Sequence, residues 1–112
     1  MENAVYNELR HRGYSVDVGN VEVNGVNEKG TKVRRMLEVD FVCNRGYKRC
    51  YVQSALSLPN EEKKQQELAS LLRIDDSFMK YVVTGDIIKK HQNDDGIVFL
   101  DIFDFLLDRD SV

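Results

Sequence analysis

Three consecutive stretches alternate apolar and polar residues with a period of two, each closed by a polar, glycine-containing turn, and this restricts the first half of the chain to strands. The first stretch sets Tyr14, Val16 and Val18 against Ser15, Asp17 and Gly19, then Val21 and Val23 against Asn20, Glu22 and Asn24. The change of phase at Gly19-Asn20 predicts a β-bulge there. NGVNEKGTK then reads as the turn of a long, exposed hairpin. The second stretch, Lys32 to Cys43, places Leu37, Val39, Phe41 and Cys43 on one face and Met36, Glu38, Asp40 and Val42 on the other. The third, Cys50 to Leu56, separates Cys50, Val52, Ser54 and Leu56 from Tyr51, Gln53 and Ala55. Folding the last two about the NRGYKR turn as antiparallel neighbours brings Asp40 opposite Gln53 and Glu38 opposite Ala55, on the face expected to be polar. A slip of one residue would move Gln53 to the other side.

Helical periodicity brackets these strands. Val5 and Leu9 lie one turn apart in residues 2–12, and Gly13 stands where a left-handed C-terminal cap belongs. Pro59 suits the first turn of a second helix, 59–73, with a polar first half and Leu68, Leu71 and Leu72 as its anchor. Two short apolar runs, 78–84 and 96–102, bounded by turn residues, read as buried central strands, and a last helical turn through Phe105, Leu106 and Leu107 closes the chain. The order α-β-β-β-α-β-β describes one α/β domain spanning 1–112, a mixed β-sheet flanked by helices. At 112 residues there is room for one core and not two. No apolar run reaches the roughly 18 residues of a membrane helix, and MENAVYNELRHRGY has no signal-peptide core, so a cytoplasmic protein without membrane contact is expected.

Cys43 and Cys50 flank a turn and can face each other as strand neighbours, which leaves a disulfide as one reading; a metal site is disfavoured because neither His is near them in sequence, and in a reducing compartment they read as buried thiols. The net charge of −3 conceals a segregation. Residues 29–49 hold Lys29, Lys32, Arg34, Arg35, Arg45, Lys48 and Arg49 against Glu38 and Asp40, a local balance of +5, whereas nine acidic residues face four basic ones from Asp75 onward. The chain is therefore expected to carry a basic hairpin and an acidic end. The basic set is either a solvated loop or a phosphate-facing patch of Lys32, Arg34, Arg35, Arg45, Lys48 and Arg49, with Tyr47 and Tyr51 beside it either stacking bases or covering the sheet end.

There is no Walker phosphate loop, no GxGxxG, no nucleophile elbow and no His pair at metal spacing, and His11 and His91 read as surface residues. What remains is Glu2 in the first helix, Asp40 in an apolar strand, and Gln53 and Ala55 on the adjoining strand. This arrangement resembles the PD-(D/E)xK nuclease superfamily, in which a helix Glu, a strand Asp and a (D/E)xK pair hold divalent ions and the attacking water. The stretches ENAVYNELRHRG, HRGYSVDVG, LEVDFV, YVQSAL and DIFDFLLD, spread over nearly the whole chain, are similar to the C-terminal domain that follows the ATPase module in a widespread group of bacterial and archaeal AAA+ ATP-binding proteins. The resemblance implies a restriction-endonuclease-like α-β-β-β-α-β core, a parent AAA+ ATPase module as partner, and ATP bound by that module and not by this chain. DNA is the further partner it suggests, and a homo-oligomer is compatible with it.

The departures from the nuclease pattern bear on mechanism. Glu2 and Asp40 match acidic positions and are the candidate metal ligands, but Gln53 stands in place of the acid and Ala55 in place of the lysine. A neutral amide brings no charge against Mg²⁺. Losing one preorganised electrostatic contact costs about 10² to 10³ in rate, so the expectation is a degraded site without catalytic residues, and Mg²⁺ as cofactor only if the site works. Simpler roles are available: Glu2 favouring a helix N-terminus, Asp40 bonding a neighbouring backbone or pairing with an Arg such as Arg35, and Gln53 bonding the Asp40 carboxylate. Three functions stay open: a non-catalytic accessory domain, a cryptic metal-dependent nuclease rescued by Glu38, Lys48 or the ATPase part, and a docking domain using its acidic end or Leu68, Leu71 and Leu72.

Overall fold

The computed structural model describes residues 1–112 except Asp75, and describes Val23 and Arg35 by backbone alone. Helix α1 (Glu2–His11) leads into a meander of β1 (Ser15–Val26), β2 (Lys32–Arg45) and β3 (Lys48–Ala55); α2 (Glu61–Arg73), β4 (Met79–Thr84), β5 (His91–Gln92), β6 (Ile97–Asp101) and α3 (Ile102–Leu107) follow. The strands form one mixed sheet in the order β1-β2-β3-β4-β6-β5. β1, β2 and β3 run antiparallel, β3, β4 and β6 are parallel, and β5 returns antiparallel to β6. The two-residue β5 is too short to leave an alternation in the sequence.

Both faces of the sheet are covered. α1 buries Val5 and Leu9 against Phe41, Cys43, Cys50, Val52, Val83 and Leu100, while α2 buries Leu68 and Leu71 against Leu37, Val39, Val42, Tyr51, Val82 and Phe99. α1 ends as expected, with Gly13 at φ +89°, a backbone conformation that costs glycine least. α2 starts later than expected: Pro59 lies outside it, and the side chain of Asn60 caps it by accepting the N–H of Lys63 at 2.8 Å. Leu72, expected as an anchor, is exposed on the outer side of α2. The face of β3 carrying Tyr51 and Ala55, expected to be polar, is buried under α2, because β3 is an inner strand with neighbours on both sides.

The bulge exists but lies on the other strand. The β1–β2 register steps from Val18↔Phe41 to Gly19↔Val39, which leaves Asp40 of β2 as the extra residue. β1 keeps strict alternation, so Val16 packs on the α1 side and Val21 on the α2 side. β2 changes phase instead: Phe41 and Cys43 face α1, whereas Leu37 and Val39, expected beside them, face α2. An extra residue inverts the side assignment of everything beyond it.

The acidic end does structural work. Asp101, buried at 5% exposure, accepts the N–H of Asp104 and caps α3, Asp86 accepts the N–H of Leu58, and Asp108 accepts that of Asp110. Arg12 fastens this end to α1: it pairs with Glu8 at 3.0 Å, donates to the carbonyls of Phe105 and Asp108 and to Ser111 Oγ, and lies over the Phe105 ring.

Candidate functional site

α1 is held to the sheet by Val5 and Leu9, and this sets Glu2 and Tyr6, one turn apart, along the rim of the sheet where β2 bulges. The Tyr6 ring tilts against Phe41 with centroids 5.9 Å apart. The result is a groove of about 740 Å³ framed by Glu2, Tyr6, Gly19, Asp40, Gln53 and Ser70, the last on α2. Gly19 adopts φ +126° beside the bulge, a conformation that a side chain would strain.

Asp40 and Gln53 interlock here. The main-chain ladder between β2 and β3 runs from Arg45↔Lys48 to Phe41↔Val52. Side chains take over beyond it: Gln53 Oε1 accepts the N–H of Asp40 at 3.0 Å, and Asp40 Oδ2 accepts the N–H of Ser54 at 2.8 Å. Both backbone donors are satisfied beyond the end of the β2–β3 ladder. The predicted partnership of Gln53 and Asp40 is therefore present, but the amide oxygen meets the backbone N–H and not the carboxylate.

Burial pushes the Asp40 carboxyl above its ordinary value; the Ser54 N–H opposes this, and the charges of Glu2 and Glu67 raise it further. The structure thus brings Glu2, Asp40 and Gln53 to one groove, with Glu38 on its wall. It does not bring Ala55 there: that side chain is 3% exposed, inside the cluster under α2. Glu67 and Ser70 were not singled out by sequence, because only the docking of α2 through Leu68 and Leu71 carries its polar half over the groove.

The donors present do not fit a hard divalent cation well. Gln53 Oε1 and Asp40 Oδ2 already accept backbone N–H groups, and among the described residues no group of three or more His, Cys, Asp or Glu is arranged around a common point. Among the described residues no Lys or Arg lines the groove, so its acidic wall offers a phosphate no counter-charge.

The basic residues of the sequence are divided. Lys32 and Arg34 lie at the turn end of the β1–β2 hairpin, where Arg34 meets Glu22 at 3.1 Å. Arg45, Lys48 and Arg49 lie at the other end of β2, about 36 Å away for eleven residues of extended chain. Arg45 donates to the Arg12 carbonyl at 2.8 Å, and both Arg45 and Lys48 lie over the Tyr14 ring, at 4.5 and 5.6 Å. Arg49 meets the Tyr51 hydroxyl at 3.3 Å and lies over the Tyr51 and Phe78 rings. Tyr51 is buried and unable to stack a base, whereas Tyr47 projects fully into solvent. The side chain of Arg35 lies outside the described residues.

No family model matches the sequence. The chain is 33% identical over 107 residues to an uncharacterized protein of Haemophilus influenzae. It resembles part of a longer chain. The match covers 96% of the present sequence and 22% of that protein, so the chain spans about a fifth of the length of the relative it matches.

Proposed function

We propose that the chain is a non-catalytic accessory domain of an AAA+ ATPase, with a restriction-endonuclease-like fold whose active-site positions now serve the backbone. The observation that carries this reading is the reciprocal contact of Asp40 and Gln53. Asp40 Oδ2 on the Ser54 N–H and Gln53 Oε1 on the Asp40 N–H join β2 to β3 beyond the end of their main-chain ladder, so the groups at metal-binding positions of a nuclease are committed to holding the two strands together. Ala55, in the lysine position, is buried and offers neither charge nor proton. Support for an accessory role comes from the Haemophilus influenzae relative, in which similar sequence makes up 22% of a longer chain.

Nucleic acid, on this reading, meets two separate contacts, one at Lys32 and Arg34 and one at Lys48 and Arg49. The domain works in the cytoplasm, beside its ATPase module. The test incubates the chain and Asp40→Ala with labelled linear and branched DNA, with Mg²⁺ or Mn²⁺, at low and high salt. Binding that weakens steeply with salt and is unaccompanied by cleavage is expected. Metal-dependent cleavage lost in Asp40→Ala would overturn the degraded-site reading, and absence of binding at every salt concentration would leave docking on the ATPase as the domain's role.

A further inference from the structure

Cys43 and Cys50 are direct partners in the antiparallel β2–β3 ladder. Antiparallel partners hold their Cα atoms about 4.5 or 5.5 Å apart, and disulfides span about 4.4–6.8 Å, so either pairing geometry admits a bond with no change of backbone register. Both residues are free thiols and fully buried on the α1 side. The two thiols are not equivalent. The Cys50 sulfur lies below its ordinary pKa, first through the hydrogen bond from Cys43 and then, against burial, through Lys48 and Arg45; Cys43 is pushed up by its bond to Cys50 and by burial. The positive charges of Lys48 and Arg45 at this hairpin end favour a thiolate on Cys50, which assigns it as the attacking sulfur in the proposal below, with Cys43 as the resolving one.

Access comes from the hairpin end. Only Asn44↔Arg49 and Arg45↔Lys48 separate the pair from the turn at Gly46 and the fully exposed Tyr47, so reaching the sulfurs requires local opening of this hairpin end together with the α1 packing over it.

We propose that Cys43 and Cys50 form a redox pair that closes to an intramolecular disulfide in the presence of a hydroperoxide. The Cys50 thiolate attacks one oxygen of hydrogen peroxide, the O–O bond breaks, and the departing hydroxide takes up the proton that Cys50 gave up, leaving as water and a sulfenic acid on Cys50. The Cys43 thiol then releases its proton and its sulfur attacks the Cys50 sulfur. The S–O bond breaks, and hydroxide leaves with that proton as a second water. Two thiols are oxidised to one disulfide, and one peroxide is reduced to two waters. The bond clamps the β2–β3 ladder three residues from Asp40 and Gln53, and it does not depend on the nuclease-like reading.

The experiment treats the native chain with graded hydrogen peroxide, quenches it, alkylates under denaturing conditions and records intact mass. The expected product is a monomer that has lost two hydrogens and both alkylatable thiols together, is restored by dithiothreitol, and melts at a higher temperature than the reduced chain. Cys43→Ser is expected to leave a Cys50 sulfenic acid that dimedone traps, and Cys50→Ser to leave Cys43 unreacted. Survival of both thiols in the native chain at exposures that oxidise the urea-unfolded chain would overturn the proposal. So would loss of the thiols to sulfinic acid, or to a disulfide between two chains.

Discussion

The parallel half of the sheet and the antiparallel arm are built on opposite plans. β6 is buried along its whole length and β4 over its last four residues, with helices on both faces and a strand on each side. The arm of β1 and the outer part of β2 has an open edge, exposed Val18, Val26 and Met36, and an extra residue that turns its side chains over. Apolar burial is concentrated in the parallel half, whereas Asp40, half-buried in its groove, lies in the arm. A carboxylate taken from water needs backbone donors: Asp101, at the end of β6, accepts the N–H groups of Asp104 and Ile88, whereas the bulge beside an edge gives Asp40 space and the Ser54 N–H.

Core truncation separates the two regions most strongly. Leu100→Ala in β6 is expected to cost about 3 kcal/mol, against less than about 0.5 kcal/mol for Val26→Ala in the arm, read as urea midpoints. Equal costs would mean that the hairpin tip packs as tightly as the centre. Next comes the fastening of α1 to the acidic end: Arg12→Met is expected to cost about 2–3 kcal/mol, because it leaves carbonyls without their charged donor. Hydrogen exchange should then rise at α3 and not in the β1–β2 arm.

Gln53→Ala should cost about 1–2 kcal/mol by leaving the Asp40 N–H without a partner, while Gln53→Glu keeps an acceptor but adds charge beside Asp40. Thermal midpoints of the two variants at low and high salt separate these effects: salt should rescue Gln53→Glu and not Gln53→Ala.

The smallest effect is the pH dependence. Since the folded chain raises the Asp40 pKa above that of the unfolded chain, Asp40 contributes stability that is fully present below the unfolded value of about 4 and is lost as pH rises through the folded value. Asp40→Asn retains an acceptor for Ser54 and removes this titration. The wild-type chain should therefore lose stability relative to Asp40→Asn as pH rises from acid to neutral. A difference that does not change with pH would show that burial and the neighbouring carboxylates do not raise Asp40 against its bond to Ser54.

Much of the architecture was legible. The β2–β3 register was readable because NRGYKR is a short turn and a short turn leaves few ways to pair the flanking alternations; the observed Phe41↔Val52 and Cys43↔Cys50 follow it. The bulge was legible only as a change of phase in β1, and the structure moved it to Asp40. A phase change can be absorbed on either of two paired strands, and only their actual pairing chooses between them. The basic segment looked like one patch because seven positive residues lie close in sequence, but an extended strand carries its two ends as far apart as a chain can.

The order of elements, the α1 cap at Gly13 and the antiparallel neighbours of β1, β2 and β3 followed from local chemistry: side-chain periodicity, glycine's freedom at positive φ, and turn length act over a few residues and are written in the sequence. Tertiary structure alone decided which side of the sheet each β2 side chain faces, that Asp40 and Gln53 bond to backbone, and that α2 brings Glu67 close enough to act on Asp40. These depend on residues brought together from separate elements, whose relative placement is set by the packing of both sheet faces at once.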